Sequence, residues 1–522
     1  MKNKFFISLL CLFSLASCNT NLNSSSNISS SSSNSTSSSI PSESISSSSS
    51  SSSTSSSSTK ENHNLVIYAV NDTHGRIEED SSSNIMGLAK IREYIYNYDK
   101  DYNPDYSIFV SAGDMFQGTG VSNLTQGQAM SEIMNSFPFD AMAIGNHEFD
   151  WGLDKMHTYK DGDYSNGEAD FPFLGANIYD KKTNERVSWL DPYTVVEING
   201  LKLGIIGIIG HDLESSILYD NIKDYDFVYP LEIIKQYAKE LRTELDCDAV
   251  IVSNHDYDTE LNQEIARLTG DMRIDGILCG HTHQNEYDIL SRSDGTNIVA
   301  VENRDKNQSA TSLTLQLNKS LNYEDYKFER FYPSNYDLDA EMHAIIVKYQ
   351  SVIDEGARII GTSEGYLSRQ NLGIYAVTSM KEKFSVDVAI MNTGGVRATI
   401  PGGEITVADV FEVFPFNNEL RVKLNLYESE TKEFLDMCED ELEDLGYSIY
   451  YTGEKYFYDN SNITYFNKEF NVSNLQNNKD YSVAVIDYVY VSTRYTEFKN
   501  TVRKDTNILL RDLVIEYIDK LY

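Results

Sequence analysis

The sequence predicts an α/β protein with two domains behind an unfolded N-terminal segment. Its 522 residues exceed the content of one typical domain, about 100–200 residues. Short continuous apolar runs alternate with stretches of helical spacing, which is typical of strands buried on both faces of a parallel or mixed sheet. Several of these runs end in clusters of Asp, Asn and His, and these clusters indicate where the chemistry lies.

The charge of the chain excludes one class of partner. With 43 Lys and Arg against 79 Asp and Glu, the net charge is −36. A protein that binds nucleic acid needs a basic surface, so we expect no nucleic-acid partner. The net charge does not exclude a small anionic substrate, because such a substrate needs only a local cationic site. The hydrophobic content of 40% suffices for buried cores. We expect the protein to be a monomer.

Residues 1–62 are expected to deliver the protein rather than to fold. Lys2 and Lys4 precede an apolar run, and residues 15–18 resemble a bacterial lipobox, which predicts a lipoprotein signal over 1–17 and a lipid on Cys18. Residues 18–62 then form a Ser-rich tether, with 26 Ser between positions 24 and 58, and should be disordered. We therefore expect a body held on the extracytoplasmic face of the cell membrane by its lipid alone. The alternative is an exported linker without an anchor.

The cysteines leave one question open. Cys11 lies within the signal, so Cys247, Cys279 and Cys438 remain for the folded body. Their number is odd and their spacing is wide, which indicates neither a disulfide framework nor a zinc site made of cysteines. A single disulfide among them is left undecided.

The body divides into two halves. In the first half, apolar runs occupy residues 65–70, 108–112, 141–144, 203–209, 249–252 and 277–279, helical patterns occupy 87–98, 129–137 and 230–245, and further β structure is expected over 291–317. A helical stretch over 341–360 suggests a connection, which gives domains at 63–335 and 361–522 with a helical linker at 336–360. The second half has apolar runs at 386–391, 419–426 and 481–491, an acidic helix over 431–445, and an irregular segment over 450–479.

Polar clusters follow five of the apolar runs. Open α/β sheets place ligands beyond the carboxyl ends of their strands, so residues far apart in sequence can meet there. Five of the nine His belong to these clusters. The candidate metal ligands are Asp72, His74, Asp114, Asn146, His255, His281 and His283.

The donor types of this set select the cofactor. Imidazole, carboxylate and amide oxygen together suit Zn²⁺, Mn²⁺ or Fe²⁺, with Ca²⁺ or Mg²⁺ as alternatives that prefer oxygen. Seven ligands are too many for one first-row ion. If Asp114 bridges, the set divides into four and four around two ions about 3.5–4 Å apart. Gly113 precedes Asp114 and permits a tight backbone there.

The motifs resemble those of a known family. Asn71-Asp72-Thr73-His74-Gly75, the segment from Gly113 to Gly118, the segment from Gly145 to Asp150, and Gly280-His281-Thr282-His283 are similar to the bacterial 5′-nucleotidase, UDP-sugar hydrolase and 2′,3′-cyclic phosphodiesterase family. The resemblance extends from about residue 64 to residue 495. It implies a calcineurin-like β-sandwich flanked by helices and a smaller α/β C-terminal nucleotidase domain.

The resemblance also implies how the ligands divide. It assigns Asp72, His74, Asp114 and His283 to a first metal, and Asp114, Asn146, His255 and His281 to a second. Some members have Gln in place of His283. They often have Gly where Tyr257 stands, so Tyr257 is expected to crowd the second metal.

A site with two metal ions would be suited to phosphoester hydrolysis. They can acidify a bridging water, whose hydroxide would attack phosphorus in line with the leaving oxygen. His147 follows the ligand Asn146, which would also touch substrate, and as an imidazolium it could stabilise the phosphoryl charge or protonate the leaving group. Asp150 could hold the other imidazole nitrogen and raise the pKa of His147. The resemblance assigns the same roles to His147 and Asp150.

The second half supplies the expected nucleoside contacts. The expected substrate contacts in the segment 392–397 are Asn392, Gly394, Gly395 and Arg397. The glycines allow an anion to come close to the backbone, and Arg397 could donate two parallel hydrogen bonds to it. By resemblance, Phe416 and Asn418 would bind the base, and Tyr488 would replace a Phe as the second stacking ring. The sequence departs from the family pattern at two places, which weakens the prediction of a nucleoside monophosphate as substrate. A Gly-Gly-Asp motif is missing near residue 490, and only Arg369 lies just upstream of Asn371, where the family usually has one or two Arg.

The sequence therefore predicts an exported, membrane-tethered, two-metal phosphohydrolase that acts on nucleotides in the manner of a 5′-nucleotidase. The first alternative keeps the chemistry but changes the substrate to UDP-sugars, 2′,3′-cyclic nucleotides or another phosphate ester. The second alternative is a surface lipoprotein that binds without catalysis. Loss of a ligand or of His147 would favour it, and neither is lost.

Overall fold

The computed structural model describes residues 63–80, 84–317, 326–331, 336–426, 429, 449–452, 480–491 and 503–521. The predicted signal, tether and lipidated Cys18 lie outside these residues. So do the acidic helix over 431–445, Cys438 and most of the segment 450–479. Among the described residues, no helix combines the length and apolar character that crossing a lipid bilayer requires.

Two six-stranded sheets form the first half. The first has the spatial order β15 (Tyr326–Phe331), β14 (Ala310–Leu317), β1 (His63–Ala69), β2 (Ser107–Ser111), β3 (Ala141–Ala143) and β4 (Phe173–Leu174). The second has the order β12 (Tyr287–Ser291), β13 (Asn297–Glu302), β11 (Gly276–Cys279), β10 (Ala249–His255), β8 (Leu201–Ile209) and β7 (Tyr193–Ile198). In the first sheet, β1 to β4 run parallel, and β14 and β15 add antiparallel pairs at one edge only. In the second sheet, β13, β11, β10 and β8 run parallel, and the antiparallel strands β12 and β7 form the two edges.

The two sheets pack face to face because their strands are apolar on both sides. In β1, Leu65 and Ile67 face the core between the sheets, which also contains Ile205 and Ile251 of the second sheet. Tyr68, on the opposite face of β1, packs under helices instead. Alternate side chains thus serve two cores. The expected β-sandwich is confirmed.

Helices cover the outer faces. Over the first sheet lie α1 (Gly87–Asn97), α3 (Gln128–Ser136) and, through Met342 and Ile346, α8 (Ala340–Lys348). Over the second lie α6 (Leu231–Thr243) and α7 (Thr259–Ala266). The remaining elements of this half are short: α2 (Gly120–Leu124), α4 (Leu153–His157), α5 (Tyr219–Ile222), the sheet β6 (Glu185–Arg186), β5 (Ile178–Asp180) and β9 (Tyr225–Phe227), and 3-10 turns at Asn146–Phe149, Leu213–Ser216 and Gly270–Met272.

The predicted linker is two helices rather than one. Asp339 caps α8 by accepting hydrogen bonds from the backbone N–H groups of Glu341 and Met342, at 3.0 Å each. Arg92 of α1 pairs with Asp339 and with Glu341, which fixes the start of α8 on the first half. The helix α9 (Gln350–Gly356) follows, and β16 (Ile359–Ser363) begins before residue 360, where a helix was expected.

The second half is a smaller α/β unit around its own core. Its main sheet has the order β20 (Ile449–Thr452), β17 (Val388–Asn392), β21 (Tyr481–Ile486), β19 (Glu419–Leu426) and β22 (Arg503–Leu509), and β16 pairs with β18 (Gly403–Thr406). The helices are α10 (Arg369–Phe384), α11 (Val407–Val413), α12 (Asp487–Val491) and α13 (Leu510–Leu521), with a 3-10 turn at Thr393–Gly395. The run 481–491 is therefore a strand followed by a helix.

Candidate functional site

The predicted ligands follow the ends of five parallel strands. Asp72 and His74 follow β1, Asp114 follows β2, and Asn146 begins the turn after β3. His255 is the last residue of β10, and His281 and His283 follow β11. Because the two sheets are stacked, the carboxyl ends of their strands meet at one edge of the sandwich, as the strand-end pattern predicted.

One group of ligand atoms comes from both sheets. One nitrogen or oxygen from each of Asp72, His74, Asp114 and His283 lies within 4.8 Å of the others. The Nε2 atoms of His74 and His283 are 3.1 Å apart, and His283 Nε2 is 3.3 Å from Asp72 Oδ1. Two imidazole nitrogens and two carboxylates that face one point form a donor set suited to a divalent ion.

A second group shares Asp114. Atoms of Asp114, His255 and His281 lie within 4.8 Å of one another. His255 Nε2 is 3.2 Å from Asp114 Oδ1, and Asn146 Oδ1 is 3.0 Å from His255 Nε2 and 2.8 Å from His281 Nδ1. The structure thus brings all seven predicted ligands together in two groups joined at Asp114.

Three of the imidazoles are held by their other nitrogen. The Nδ1 atom of His255 is 2.7 Å from the carbonyl oxygen of Ala112, that of His74 is 3.3 Å from the carbonyl oxygen of Gln117, and that of His283 is 3.5 Å from Asp305 Oδ2. An acceptor at Nδ1 favours the tautomer with hydrogen there and leaves the Nε2 lone pair for a metal. These contacts orient each ring toward the group it belongs to.

The electrostatics of the site fit a cation. Asp114 is buried, and its Oδ2 has no hydrogen-bond partner in the described part of the chain. Burial lowers the pKa of His74 well below its usual value and that of His281 to about 3, so both rings keep a lone pair at neutral pH. Burial also opposes protonation of His255, but the Asp114 carboxylate outweighs it and raises the pKa to about 10. The surroundings of His255 therefore favour a positive charge, and a bound divalent ion could supply that charge in place of a proton.

Five of the seven ligands have a left-handed backbone. The φ angles are 52° for Asp72, 49° for His74, 54° for Asp114, 76° for His281 and 62° for His283. Each such residue costs about 1–3 kcal/mol unless the surroundings compensate. A single strained residue is ordinary, but five at one edge indicate a site whose geometry matters more than local backbone stability.

Two buried carboxylates, which were not among the predicted site residues, hold the strained loops. Glu148 accepts hydrogen bonds from the backbone N–H groups of Asp114 (2.9 Å), Met115 (3.0 Å) and Gly145 (2.7 Å). Glu302 accepts from the Thr282 hydroxyl (2.8 Å) and from the N–H of His283 (3.0 Å). The capping-box position of Glu148, three residues after Gly145, and the place of Glu302 at the end of an apolar run were the available signals.

His147 and Asp150 form a buried pair beside the ligands. His147 Nδ1 is 2.7 Å from Asp150 Oδ2, and the backbone N–H of His147 donates to Asp114 Oδ1 at 2.9 Å. His147 Nε2 points toward Asp114 Oδ2, 3.8 Å away. Burial opposes the imidazolium, but the Asp114 and Asp150 carboxylates outweigh it and raise the pKa of His147. The ring can therefore hold a proton where a substrate would lie.

One cavity joins the two halves of the chain. It has about 1020 Å³ of empty space, opens to solvent, and is bordered by His147, Asp150 and the ligands Asp114, Asn146, His281 and His283. The second half contributes all seven of its predicted contacts to the same cavity: Asn392, Gly394, Gly395, Arg397, Phe416, Asn418 and Tyr488. Ser216, Leu218 and Asn417, which were not among the predicted site residues, also border the cavity.

The contacts within this wall show how it is built. The Phe416 ring stacks on the His147 ring with centroids 5.7 Å apart, and Arg397 lies 5.8 Å above the Phe416 ring. Asp487 accepts from Asn418 Nδ2 at 3.2 Å and from the N–H of Tyr488 at 2.8 Å, so it positions both. The sequence reading gave Asp487 no role, although an Asp at the end of an apolar run was again a signal.

The expected crowding by Tyr257 is wrong. Its ring packs against the outer core of the second sheet, and its hydroxyl donates to Asp288 Oδ2 at 3.2 Å. It does not border the cavity. Arg369 also lies apart from this cavity and donates to the carbonyl oxygen of Arg397 at 2.9 Å. Cys247 and Cys279 are buried free thiols, so they do not form a disulfide with each other.

Comparison with known proteins agrees with this geometry. The calcineurin-like phosphoesterase model matches residues 65–285, and the 5′-nucleotidase C-terminal domain model matches residues 356–499. The chain belongs to the calcineurin-like phosphoesterases that carry a 5′-nucleotidase C-terminal domain. The cavity described above is therefore lined by residues from both the region that matches the phosphoesterase model and the region that matches the nucleotidase C-terminal domain model.

Individual relatives of this phosphoesterase differ in length and name. It is 26% identical to the endonuclease YhcR of Bacillus subtilis over 72% of this chain, but it spans only 33% of that protein. It is 25% identical to a 5′-nucleotidase of Vibrio parahaemolyticus, over 77% of this chain and 79% of the relative. Among solved structures, the 5′-nucleotidase precursor from Thermus thermophilus superimposes with a TM-score of 0.70 at 23% identity, over 88% of this chain and 97% of the other.

The role of Glu148 in this phosphoesterase can be tested with Glu148→Gln. An amide cannot accept from all the N–H groups that the carboxylate serves, so the Asp114 loop should shift and Mn²⁺ affinity should fall about 10–100-fold. Isothermal titration calorimetry with Mn²⁺ measures this change. Glu132→Gln is the control, because Glu132 pairs with Lys348 on the helical face, away from the ligands. An unchanged Mn²⁺ affinity in Glu148→Gln would refute the positioning role.

Proposed function

We propose that this protein is an exported phosphohydrolase of the 5′-nucleotidase type, which uses two divalent ions to remove a phosphoryl group from nucleotides. One observation carries the proposal. The two groups of metal-ligating side chains and the aromatic, amide and guanidinium groups of the second domain border the same cavity. A ligand that needs all of them has a phosphoryl end, a polar middle and a flat apolar end, which describes a nucleotide.

In this proposal the metal ligands divide as their contacts do. Asp72, His74, Asp114 and His283 would hold the first ion, and Asp114, Asn146, His255 and His281 would hold the second. Zn²⁺, Mn²⁺ or Fe²⁺ suit these donors. When bound, two ions would lower the pKa of water and stabilise negative charge on phosphate oxygens. The chain's own contribution there is to hold seven donors in place and to keep Asp114 Oδ2 free for coordination.

His147 is the proposed general acid or electrostatic catalyst. Its Nδ1–H donates to Asp150, so Nε2 is the atom that faces the phosphoryl group. The Asp114 and Asp150 carboxylates raise the pKa of His147, which favours the protonated ring. That proton can pair with a developing oxyanion or pass to the leaving oxygen, a contribution of about 10²–10⁴ in rate. Asp150 positions the ring and stabilises its charged form.

Asn392 and Arg397 are proposed to bind the middle of the nucleotide. Asn392 is 4% exposed, and its Oδ1 lacks a hydrogen-bond partner among the residues that the structure describes. Such an acceptor beside a cavity can take a hydrogen bond from a ribose hydroxyl. The Arg397 guanidinium offers a fork of donors to phosphate oxygens, and Gly394 and Gly395 allow the ligand to approach the backbone.

Phe416, Tyr488 and Asn418 are proposed to bind the base. An aromatic ring beside a base contributes about 1–3 kcal/mol and accepts any base, which suits a broad nucleotidase. Because Asn418 Nδ2 already donates to Asp487, its Oδ1 remains for a donor on the base edge. UDP-sugars, 2′,3′-cyclic nucleotides and other phosphate esters remain the alternative substrates for the same chemistry.

The remaining parts of the proposal rest on the sequence. A lipoprotein signal over 1–17, a lipid on Cys18 and a Ser-rich tether over 18–62 support export and attachment to the membrane surface. We also retain the domain limits 63–335 and 361–522 with a linker at 336–360, the monomeric state, and the absence of a nucleic-acid partner. The net charge of −36 supports the last point.

The hydrolase activity is tested by phosphate release from nucleoside mono-, di- and triphosphates, UDP-glucose, cyclic nucleotides and an aryl phosphate. We expect release from the nucleotides, loss after chelation, and recovery with Mn²⁺ or Zn²⁺. His147→Asn should lower kcat about 10²–10⁴-fold at an unchanged metal content, because it removes the proton donor but no ligand. His343→Asn, on the exposed face of α8, is the matched control.

Two results would count against this proposal. No metal-dependent release from any substrate would overturn the enzyme assignment. Release from the aryl phosphate alone would overturn the assignment of nucleotides.

The stacking contact is tested with Tyr488→Leu. Loss of one stacking ring should raise KM for a nucleoside monophosphate about 5–100-fold, the equivalent of ~1–3 kcal/mol, and leave hydrolysis of glycerol phosphate unchanged. Tyr488→Phe is the control, since it keeps the ring and removes the hydroxyl, which donates to the Ser215 carbonyl oxygen (2.9 Å). An equal rise in KM for both variants would assign the effect to that hydrogen bond and contradict stacking.

A further inference from the structure

A second cavity also borders the ligands, through His74 and His283. It has about 640 Å³ of empty space and shares His147, His283 and Arg397 with the first cavity. A ligand held at these residues can therefore extend in two directions. The first cavity contains the proposed base contacts, whereas the second has no aromatic residue in its wall apart from histidines among the described residues.

The wall of the second cavity is cationic. Four basic side chains border it, Arg76, Lys306, Arg369 and Arg397, against two acidic ones, Asp305 and Glu412. In a chain with a net charge of −36, such a local excess of positive charge is unusual. A low-dielectric cleft with one sign of charge concentrates ions of the opposite sign. The chemistry of this wall therefore suits an anionic group.

Two donors in the wall of the second cavity lack partners, which indicates that the cavity binds a ligand and is not merely a network of structural ion pairs. Gln117 is 1% exposed, and its Nε2 has no hydrogen-bond partner among the described residues. Lys306 borders the cavity, and its ammonium group makes no ion pair within the described part of the chain. By contrast, Arg76 is paired with Glu412 at 2.6 Å. Gln117 and Lys306 thus offer donors that a bound anion would satisfy.

The loops that present these donors are held in place. Asn307 is buried, accepts from the Thr73 hydroxyl at 2.9 Å, and donates to the carbonyl oxygen of Arg76 at 2.6 Å. The backbone N–H of Lys306 donates to the carbonyl oxygen of Asp72 at 2.6 Å. The strand-end loops that carry Arg76 and Lys306 are thus joined to each other. Such preorganisation lowers the entropic cost of binding an anion.

We infer that the cavity lined by Gln117 and Lys306 binds a second anionic group attached to the phosphoryl group at the metal ligands. The inference rests on the proposed function, because the first anionic group is the phosphoryl group placed there. It narrows the substrate class to nucleotides that carry another phosphoryl or carboxylate group on the side away from the nucleoside. A plain nucleoside monophosphate would leave this cavity to water.

The test compares two small probes by calorimetry on the Mn²⁺-loaded full chain. Phosphonoacetate carries a phosphonate and a carboxylate, whereas ethylphosphonate has a methyl group in place of the carboxylate. We expect phosphonoacetate to bind about tenfold more tightly or better, as a charge-assisted hydrogen bond implies. Lys306→Gln should remove most of this preference, whereas Lys306→Arg should keep it. Arg304→Gln should also keep it, since Arg304 is an exposed residue of the same loop outside the cavity wall.

The outcomes separate this inference from the function on which it rests. Equal affinity for the two probes, or a preference that survives Lys306→Gln, would overturn the second anion site and leave the proposed phosphohydrolase intact. Failure of both probes to bind would instead show that the metal ligands do not hold a phosphoryl group, and both proposals would fall.

Discussion

The carboxylate of Asp114 belongs to both groups of ligands, and that double position constrains the architecture around it. Its two oxygens can face two ions only if the loop after β2 turns sharply, which the left-handed Asp114 and Gly113 allow (φ 54° and 97°). Gly145 must also pass close by, since a Cβ there would lie 2.3 Å from Asp114 Oδ1. The buried Glu148 then holds the loop through backbone hydrogen bonds. The parallel strand ends, the strained loops and the supporting carboxylates all serve this one placement.

A large share of this arrangement could be predicted from the sequence. Apolar runs that end in Asp, Asn and His predicted which strands are central and that their ends converge, because parallel strands present their carboxyl ends at one edge. The ligand set followed from donor chemistry, and its division followed from the resemblance to a family. The β-sandwich also followed from that resemblance, because periodicity alone does not decide whether strands share one sheet or two.

Other features could not be predicted because they depend on tertiary contacts. Glu148 and Glu302 each have a local sequence signal, but they also accept from backbone groups of other loops, and the sequence around each residue does not identify those loops. Tyr257 was expected to crowd the site, but its ring packs into the outer core of the second sheet and its hydroxyl donates to Asp288, contacts that its place in the motif does not reveal. The run 481–491 divides into strand and helix at Asp487, where a buried carboxylate binds two backbone N–H groups and ends the ladder. Arg76 and Lys306 are 230 residues apart in sequence, and their loops are joined by hydrogen bonds of Asn307 and of the Lys306 backbone.

The charge of the chain takes on a different meaning at this site. A net charge of −36 keeps the exterior acidic, while basic side chains and the proposed ions gather where a phosphoryl group would lie. The central claim is that two ions bind and that Asp114 joins them. Equilibrium dialysis against Mn²⁺ followed by metal analysis tests it directly, with circular dichroism to confirm that Asp114→Asn folds. The account predicts two Mn²⁺ per wild-type chain and fewer than two in Asp114→Asn; a single ion in the wild type, or two ions in the variant, would contradict it.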